Sequence, residues 1–137
     1  MITHPGSRTR ALYLWESDDL KRRRGVRQLR CIEDYALALR FMWRYRKGDN
    51  WVSCVPRIDI RDLKGDPRCY GRTEIVLTRQ DHLNITLLHE LTHALGYGSP
   101  DNPHSRGFVL KYIAALRWWF GWDADELKIL AHQQGLI

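Results

Sequence analysis

Residues 89–93, His-Glu-Leu-Thr-His, are the part of this 137-residue sequence whose residue types and spacing best suit a catalytic site. Side chains four positions apart on an α-helix lie on the same face, so His89 and His93 could both bind one metal ion. Zn²⁺ is the expected metal, because imidazole ligands and an open fourth position are typical of catalytic zinc. Glu90 is expected to act as the general base that deprotonates a zinc-activated water.

The helix that carries this motif is the most apolar helix candidate in the chain, with leucine, isoleucine and alanine on both sides of the two histidines. A buried helix with two histidines and a glutamate needs partners for these polar groups, and a metal ion supplies one. Gly96 and Gly98 are expected to end the helix. The expected third ligand is His104, with Asp101 and Asp123 as alternatives. A solvated or vestigial motif is the competing interpretation.

Composition predicts one folded domain over residues 1–137, with residues 1–7 as a flexible tail, because 44% of the residues are hydrophobic and six are tryptophan. No apolar run is long enough to cross a membrane, so no membrane association is expected. The first residues lack the basic-then-apolar order of a signal peptide, so we expect a cytoplasmic protein, or one of the host cytoplasm or virion if a phage encodes it. Its cysteines are expected to be reduced and buried, although Cys54 and Cys69 could bind a second zinc with a histidine.

The net charge of +6 arises mainly from the first half of the sequence, which contains the basic run at 21–24 and then Arg40, Arg44 and Arg46. Tryptophan and tyrosine are interleaved with the last three arginines, and this combination could bind single-stranded nucleic acid by phosphate contact and base stacking. The favoured alternative is a solvated helix face whose aromatic residues pack inward.

Apolar periodicity predicts an α+β domain in which a small mixed β-sheet packs against the motif helix and flanking helices. Residues 8–23 and 33–46 are expected to be helical, and residues 26–31 a short strand. The middle of the chain is expected to form strands at 51–55, 58–60 and 73–78. The motif helix should begin near Arg79, after a capping box at Thr78 and Asp81. Two more helices should follow, one capped by Ser105 and ended by Gly121, the other at 123–133.

A strand directly before an HExxH helix, followed by a helix that brings a third ligand, resembles the zincin metallopeptidase fold. Within this fold the sequence is most similar to SprT-like metallopeptidases and related small bacterial and phage proteins. Their third ligand lies in a motif of the form H-G-x-x-F, which corresponds here to residues 104–108, with Ser105 in place of the glycine. The resemblance covers residues 72–120. It implies a peptidase with one zinc per chain, bound by His89, His93 and His104, with Glu90 as the catalytic residue.

The resemblance also implies a protein or peptide substrate, and it makes nucleic acid a possible partner because some SprT-like proteins act on protein–nucleic acid complexes. Two other zincin groups fit less well: a metzincin would need Ser99 as a ligand, and a gluzincin would use a downstream acid. Tyr97, Arg106 and Tyr112 are candidate donors to the oxyanion, and Thr92 or Asp123 could orient a ligating imidazole. The alternative function is a catalytically silent, zinc-stabilised structural or nucleic-acid-binding module, which could be part of a viral assembly.

Overall fold

The computed structural model describes residues 5–45, 57–61, 68–70, 74–79, 81–99 and 101–137. The described elements are mainly helical, with short strands in the middle of the chain, which is compatible with the predicted α+β class. The helices are α1 (Pro5–Asp18), a short 3₁₀ helix (Leu20–Arg22), α2 (Cys31–Tyr45), α3 (Asn84–Ala94), α4 (Arg106–Phe120) and α5 (Ala124–Gln133). The strands are β1 (Arg57–Arg61), β2 (Arg68–Tyr70) and β3 (Glu74–Thr78).

The chain divides into two compact units, unit 1 (Met1–Val26 with Tyr97–Ile137) and unit 2 (Arg27–Gly96). In unit 2, β3 pairs in parallel with β1 and antiparallel with β2. Three consecutive apolar residues of β3, Ile75, Val76 and Leu77, are all buried. A continuous apolar run of this kind is typical of a strand that is covered on both faces. The strand predicted at 73–78 is confirmed by β3, and α3 lies against β2 and β3.

The buried face of α2 differs from the predicted one. The sequence pattern favoured a face that includes Trp43, but the Trp43 side chain is 57% exposed, while Ala38, Phe41 and Met42 are buried. This buried face starts at Asp34, an acidic residue that a search for regularly spaced apolar residues does not identify as buried. The Asp34 carboxylate accepts hydrogen bonds from both terminal nitrogens of the Arg27 guanidinium, each at 2.9 Å, which lets a charged group be buried in this position.

The strand predicted at 26–31 is wrong. Cys31 already begins α2, and this segment contributes only an isolated bridge between Gln28 and Leu83. Asp34 accounts for the early start of the helix, because its carboxylate accepts a 2.6 Å hydrogen bond from the backbone N–H of Arg30 at the first turn. The Asp34 hydrogen bonds are also the main reason that the pKa of Arg27 is raised.

Unit 1 contains α1, α4 and α5. Its first helix begins at Pro5, inside the stretch 1–7 that was predicted to be a flexible tail, and residues 1–4 lie outside the described part. Proline fits at the first position of a helix because the backbone N–H that it lacks would have no partner there. A buried 2.6 Å hydrogen bond from the Tyr112 hydroxyl to the Glu16 carboxylate joins α4 to α1.

The ends of α4 and α5 follow the predicted local signals. The Ser105 side chain accepts a hydrogen bond from the backbone N–H of Phe108 at the start of α4, and Gly121 ends that helix with a φ of 76°. The Asp123 side chain caps α5. The strand predicted at 51–55 lies outside the described residues. In the described part of the chain, no helix has both the length and the apolar character to cross a membrane.

Candidate metal centre

Helix α3 carries the HExxH motif, and it begins at Asn84 rather than near Arg79. The predicted capping residues form a separate turn, in which the Thr78 hydroxyl accepts a 3.0 Å hydrogen bond from the backbone N–H of Asp81. The Asn84 side-chain oxygen instead accepts hydrogen bonds from the backbone N–H groups of Ile85 and Arg27, and the Asn84 N–H donates to the Arg27 carbonyl. The beginning of the motif helix is therefore bonded to the segment that precedes α2.

The motif places its two histidines side by side and its glutamate in a buried position. The ring centroids of His89 and His93 are 5.0 Å apart, as their spacing predicted. Glu90 is 5% exposed, so the carboxylate lies in a largely water-excluded environment. The Thr92 hydroxyl donates a 2.9 Å hydrogen bond to the Leu88 carbonyl, so it has its hydrogen-bond partner within the same helix.

Two glycines follow the helix, as predicted. Gly96 and Gly98 both have positive φ angles, 89° and 87°, which side-chain-bearing residues rarely adopt. At Gly98 a side chain would also collide with the backbone carbonyl of Pro103. This close approach places Gly98 against Pro103, the residue directly before His104 in the sequence.

His104 is buried in unit 1, where α1 and α4 hold its ring and its backbone. The Thr9 hydroxyl lies 2.9 Å from the His104 Nδ1 atom. The rings of Tyr13 and Phe108 make edge contacts with the imidazole, at centroid distances of 5.8 and 5.2 Å. A hydrogen bond at Nδ1 leaves Nε2 as the ring nitrogen for a metal ion, and it fixes the plane of the ring.

Arg8 supports the backbone of the same residue. Its guanidinium Nε donates a 2.9 Å hydrogen bond to the His104 carbonyl, and its Nη2 donates a 2.7 Å bond to the Leu136 carbonyl. Burial lowers the pKa of Arg8 from its ordinary value, although a guanidinium remains charged at physiological pH. The third histidine is thus held by two consecutive residues of α1, Arg8 through the backbone and Thr9 through the ring.

The three histidines form a group that could hold a metal ion. One ring nitrogen from each of His89, His93 and His104 lies within 4.8 Å of the other two. Three imidazoles suit zinc, but they also suit copper, iron and nickel, so the ligand set fits a transition metal without identifying it. The alternative ligands are not part of this group: Asp101 is exposed, and Asp123 caps α5.

The candidate oxyanion donors lie in different environments. The Tyr112 hydroxyl is fully buried and donates to Glu16, so the structure places it in a packing role. Tyr97 is half-buried, and the Lys111 ammonium lies 5.1 Å from the centroid of its ring. Arg106 is exposed at the first turn of α4. Tyr97 and Arg106 therefore remain candidates, and Tyr112 does not.

Two of the predicted nucleic-acid contacts can be located on α2. Arg40 and Arg44 are both exposed, and the Arg44 guanidinium lies 5.6 Å from the centroid of the Tyr45 ring. The expectation that the interleaved aromatic residues pack inward is wrong for Trp43. Arg46 lies outside the described residues, as does Cys54 of the alternative zinc site. Nucleic-acid binding by α2 stays a prediction.

Comparison of the chain with protein-family models, with curated proteins and with solved structures found no significant match.

Thr9 is a residue of the site that the sequence did not reveal. It lies 95 positions before His104, and no local pattern distinguishes it from other helix threonines. We expect Thr9→Val to weaken metal binding about 10- to 100-fold, the usual effect of losing a hydrogen bond to a ligating histidine. Competition with a chromophoric zinc chelator measures this affinity. Thr9→Ser keeps the hydroxyl and should bind metal like wild type; equal weakening by both variants would contradict the assigned role.

Proposed function

We propose that this protein is a zinc-dependent metallopeptidase with a zincin-like, SprT-type domain. The observation that carries the proposal is the cluster of His89, His93 and His104, with their ligand nitrogens within 4.8 Å of one another. Glu90 follows the first of these ligands on the same helix and is buried, which is the position that a general base requires. The order of β3, α3 and then α4, with the third histidine just before α4, supports the zincin-like assignment.

The three imidazoles would hold the zinc, which when bound supplies positive charge that polarises a peptide carbonyl and promotes ionisation of water. Glu90 would accept a proton from the attacking water as the new carbon–oxygen bond forms. The same carboxyl group would then donate that proton to the nitrogen of the leaving amine as the carbon–nitrogen bond breaks. One water is consumed, and a carboxylic acid and an amine are released.

The groups around the site would orient these residues. Thr9 fixes the His104 imidazole so that Nε2 is presented, and Arg8 holds the backbone of the same residue. For the oxyanion that develops on the scissile carbonyl, we propose Tyr97 or Arg106 as the hydrogen-bond donor, because the Tyr112 hydroxyl is committed to Glu16. The substrate is a protein or peptide.

The proposal is tested by hydrolysis of an unfolded protein such as casein that carries a self-quenched fluorescent label, so that cleavage increases the fluorescence. We expect cleavage by zinc-loaded protein, loss of cleavage after metal removal with a chelator, and recovery when about one equivalent of zinc is returned. A chain treated identically but reloaded with Mg²⁺ is the control, since a site made of imidazoles binds this hard cation poorly. Cleavage that persists in the chelated protein would overturn the proposal.

A further inference from the structure

A shallow groove of about 380 Å³ follows one face of α1 in unit 1. Its lining residues recur at the three- and four-residue spacing of a helix face. They are Gly6, Thr9, Arg10, Tyr13, Leu14 and Ser17. The distance from the first to the last of these positions is about 16 Å along the helix, enough for an extended peptide of about five residues.

The groove is continuous with the surroundings of the third metal ligand. Two of its lining residues, Thr9 and Tyr13, are the ones that contact the His104 ring from α1, by a 2.9 Å hydrogen bond and an edge contact at 5.8 Å. A chain segment bound in the groove would therefore lie beside a residue of the candidate metal centre. This continuity separates the groove from an ordinary surface depression.

The chemistry of the lining combines apolar surface with one positive charge. Tyr13 is 38% exposed and Leu14 is 52% exposed, so both offer apolar area that a ligand could cover. Arg10 is exposed, and its guanidinium forms no ion pair with any residue in the described ranges. An arginine in this situation is suited to a bidentate contact with a carboxylate.

We propose that this α1 groove binds a substrate segment, in extended conformation, that carries an apolar side chain against Tyr13 and Leu14 and an Asp or Glu carboxylate beside Arg10. The inference rests on the proposed peptidase function and adds to it a substrate class, acidic–apolar peptide sequence. The excess of basic residues in the chain favours the same class of partner, since it attracts acidic segments over a longer range.

The test uses two fluorescein-labelled pentapeptides that contain Leu and Phe and differ at one position, Glu in one and Lys in the other. Binding is measured by fluorescence anisotropy to the full zinc-loaded chain with Glu90→Gln, so that the peptides stay intact. We expect the Glu peptide to bind about tenfold more tightly than the Lys peptide. Adding Arg10→Glu should reverse this preference. Lys128→Glu, an exposed position on α5 with the same change of charge, should leave it unchanged.

The apolar half of the groove is tested with a second matched pair. Leu14→Ser should weaken binding of both peptides about fivefold, whereas Ile129→Ser, which changes an even more exposed apolar residue, should not. The proposal is overturned if neither peptide binds, or if the Glu and Lys peptides bind equally, or if Arg10→Glu leaves the preference as it was.

Cleavage of labelled casein by the chain with Glu90 intact separates this inference from the proposed function. Arg10-dependent binding of the pentapeptides, together with no cleavage of casein by the zinc-loaded chain, would support the groove and overturn the peptidase. Zinc-dependent cleavage with no dependence on Arg10 or Leu14 would overturn the groove and leave the peptidase standing.

Discussion

Glu90→Gln is expected to abolish hydrolysis while the chain keeps its metal. Glutamine has nearly the same shape as glutamate, so it fits the buried position, but its amide cannot accept a proton from the attacking water. General-base catalysis contributes factors of about 10² to 10⁴, and we expect a loss of about 10³-fold or more in kcat. The measurement is the initial rate of cleavage of labelled casein, together with zinc per chain by elemental analysis.

The matched control is Glu33→Gln, the same chemical change at an exposed position of α2. It should leave both rate and metal content at the wild-type values. Hydrolysis that survives Glu90→Gln would remove Glu90 from the mechanism. If wild type and variant both hold one metal per chain and neither cleaves, the silent metal-stabilised module is the correct function.

His104→Ala is expected to reduce zinc affinity by at least about 100-fold, more than the loss of a supporting hydrogen bond would. The variant leaves two imidazoles, His89 and His93, and removes the only ligand of the group that α3 does not supply. Zinc affinity is measured by competition with a chromophoric chelator, and circular dichroism of the metal-free chains shows whether the fold is kept.

Two further variants keep this prediction testable if the alanine disturbs packing around Phe108. His104→Cys supplies a thiolate, which also binds zinc, and should recover much of the lost affinity. His132→Ala changes an exposed histidine in unit 1 and should have no effect. Wild-type zinc affinity in a folded His104→Ala protein would show that His104 is not a ligand.

The elements that the sequence predicted well depend on signals within a few residues. Ser105 and Gly121 bound α4, and Asp123 caps α5, because each side chain or φ angle acts on its own turn of helix. The start of α3 could not be read in this way, since Asn84 is bonded to the backbone of Arg27, 57 positions away. The buried face of α2 was predicted wrongly because it includes Asp34. The Asp34 carboxylate can be buried only because it accepts hydrogen bonds from Arg27, which lies outside the helix.

The same distinction applies to the candidate site. The pair of His89 and His93, with Glu90 between them, is a local pattern, so spacing on one helix was enough to predict that the two rings lie together. His104 was a candidate third ligand because it follows the motif closely in the sequence, and the resemblance to a family motif supported this choice. Thr9 and Arg8 act on His104 from another helix, and only a three-dimensional structure could assign them.

The division of the chain has a consequence for the order in which a growing polypeptide could assemble this site. Unit 2 is one continuous stretch, so His89 and His93 can reach their places on α3 while synthesis is still under way. Unit 1 needs residues from both sides of that stretch, and Thr9 must wait for His104, which emerges 95 residues later. A nascent chain would therefore offer only a weak two-histidine site. Tight binding of a metal by all three histidines would coincide with completion of the fold, so that the free energy of metal binding would stabilise the finished protein rather than a partly made one.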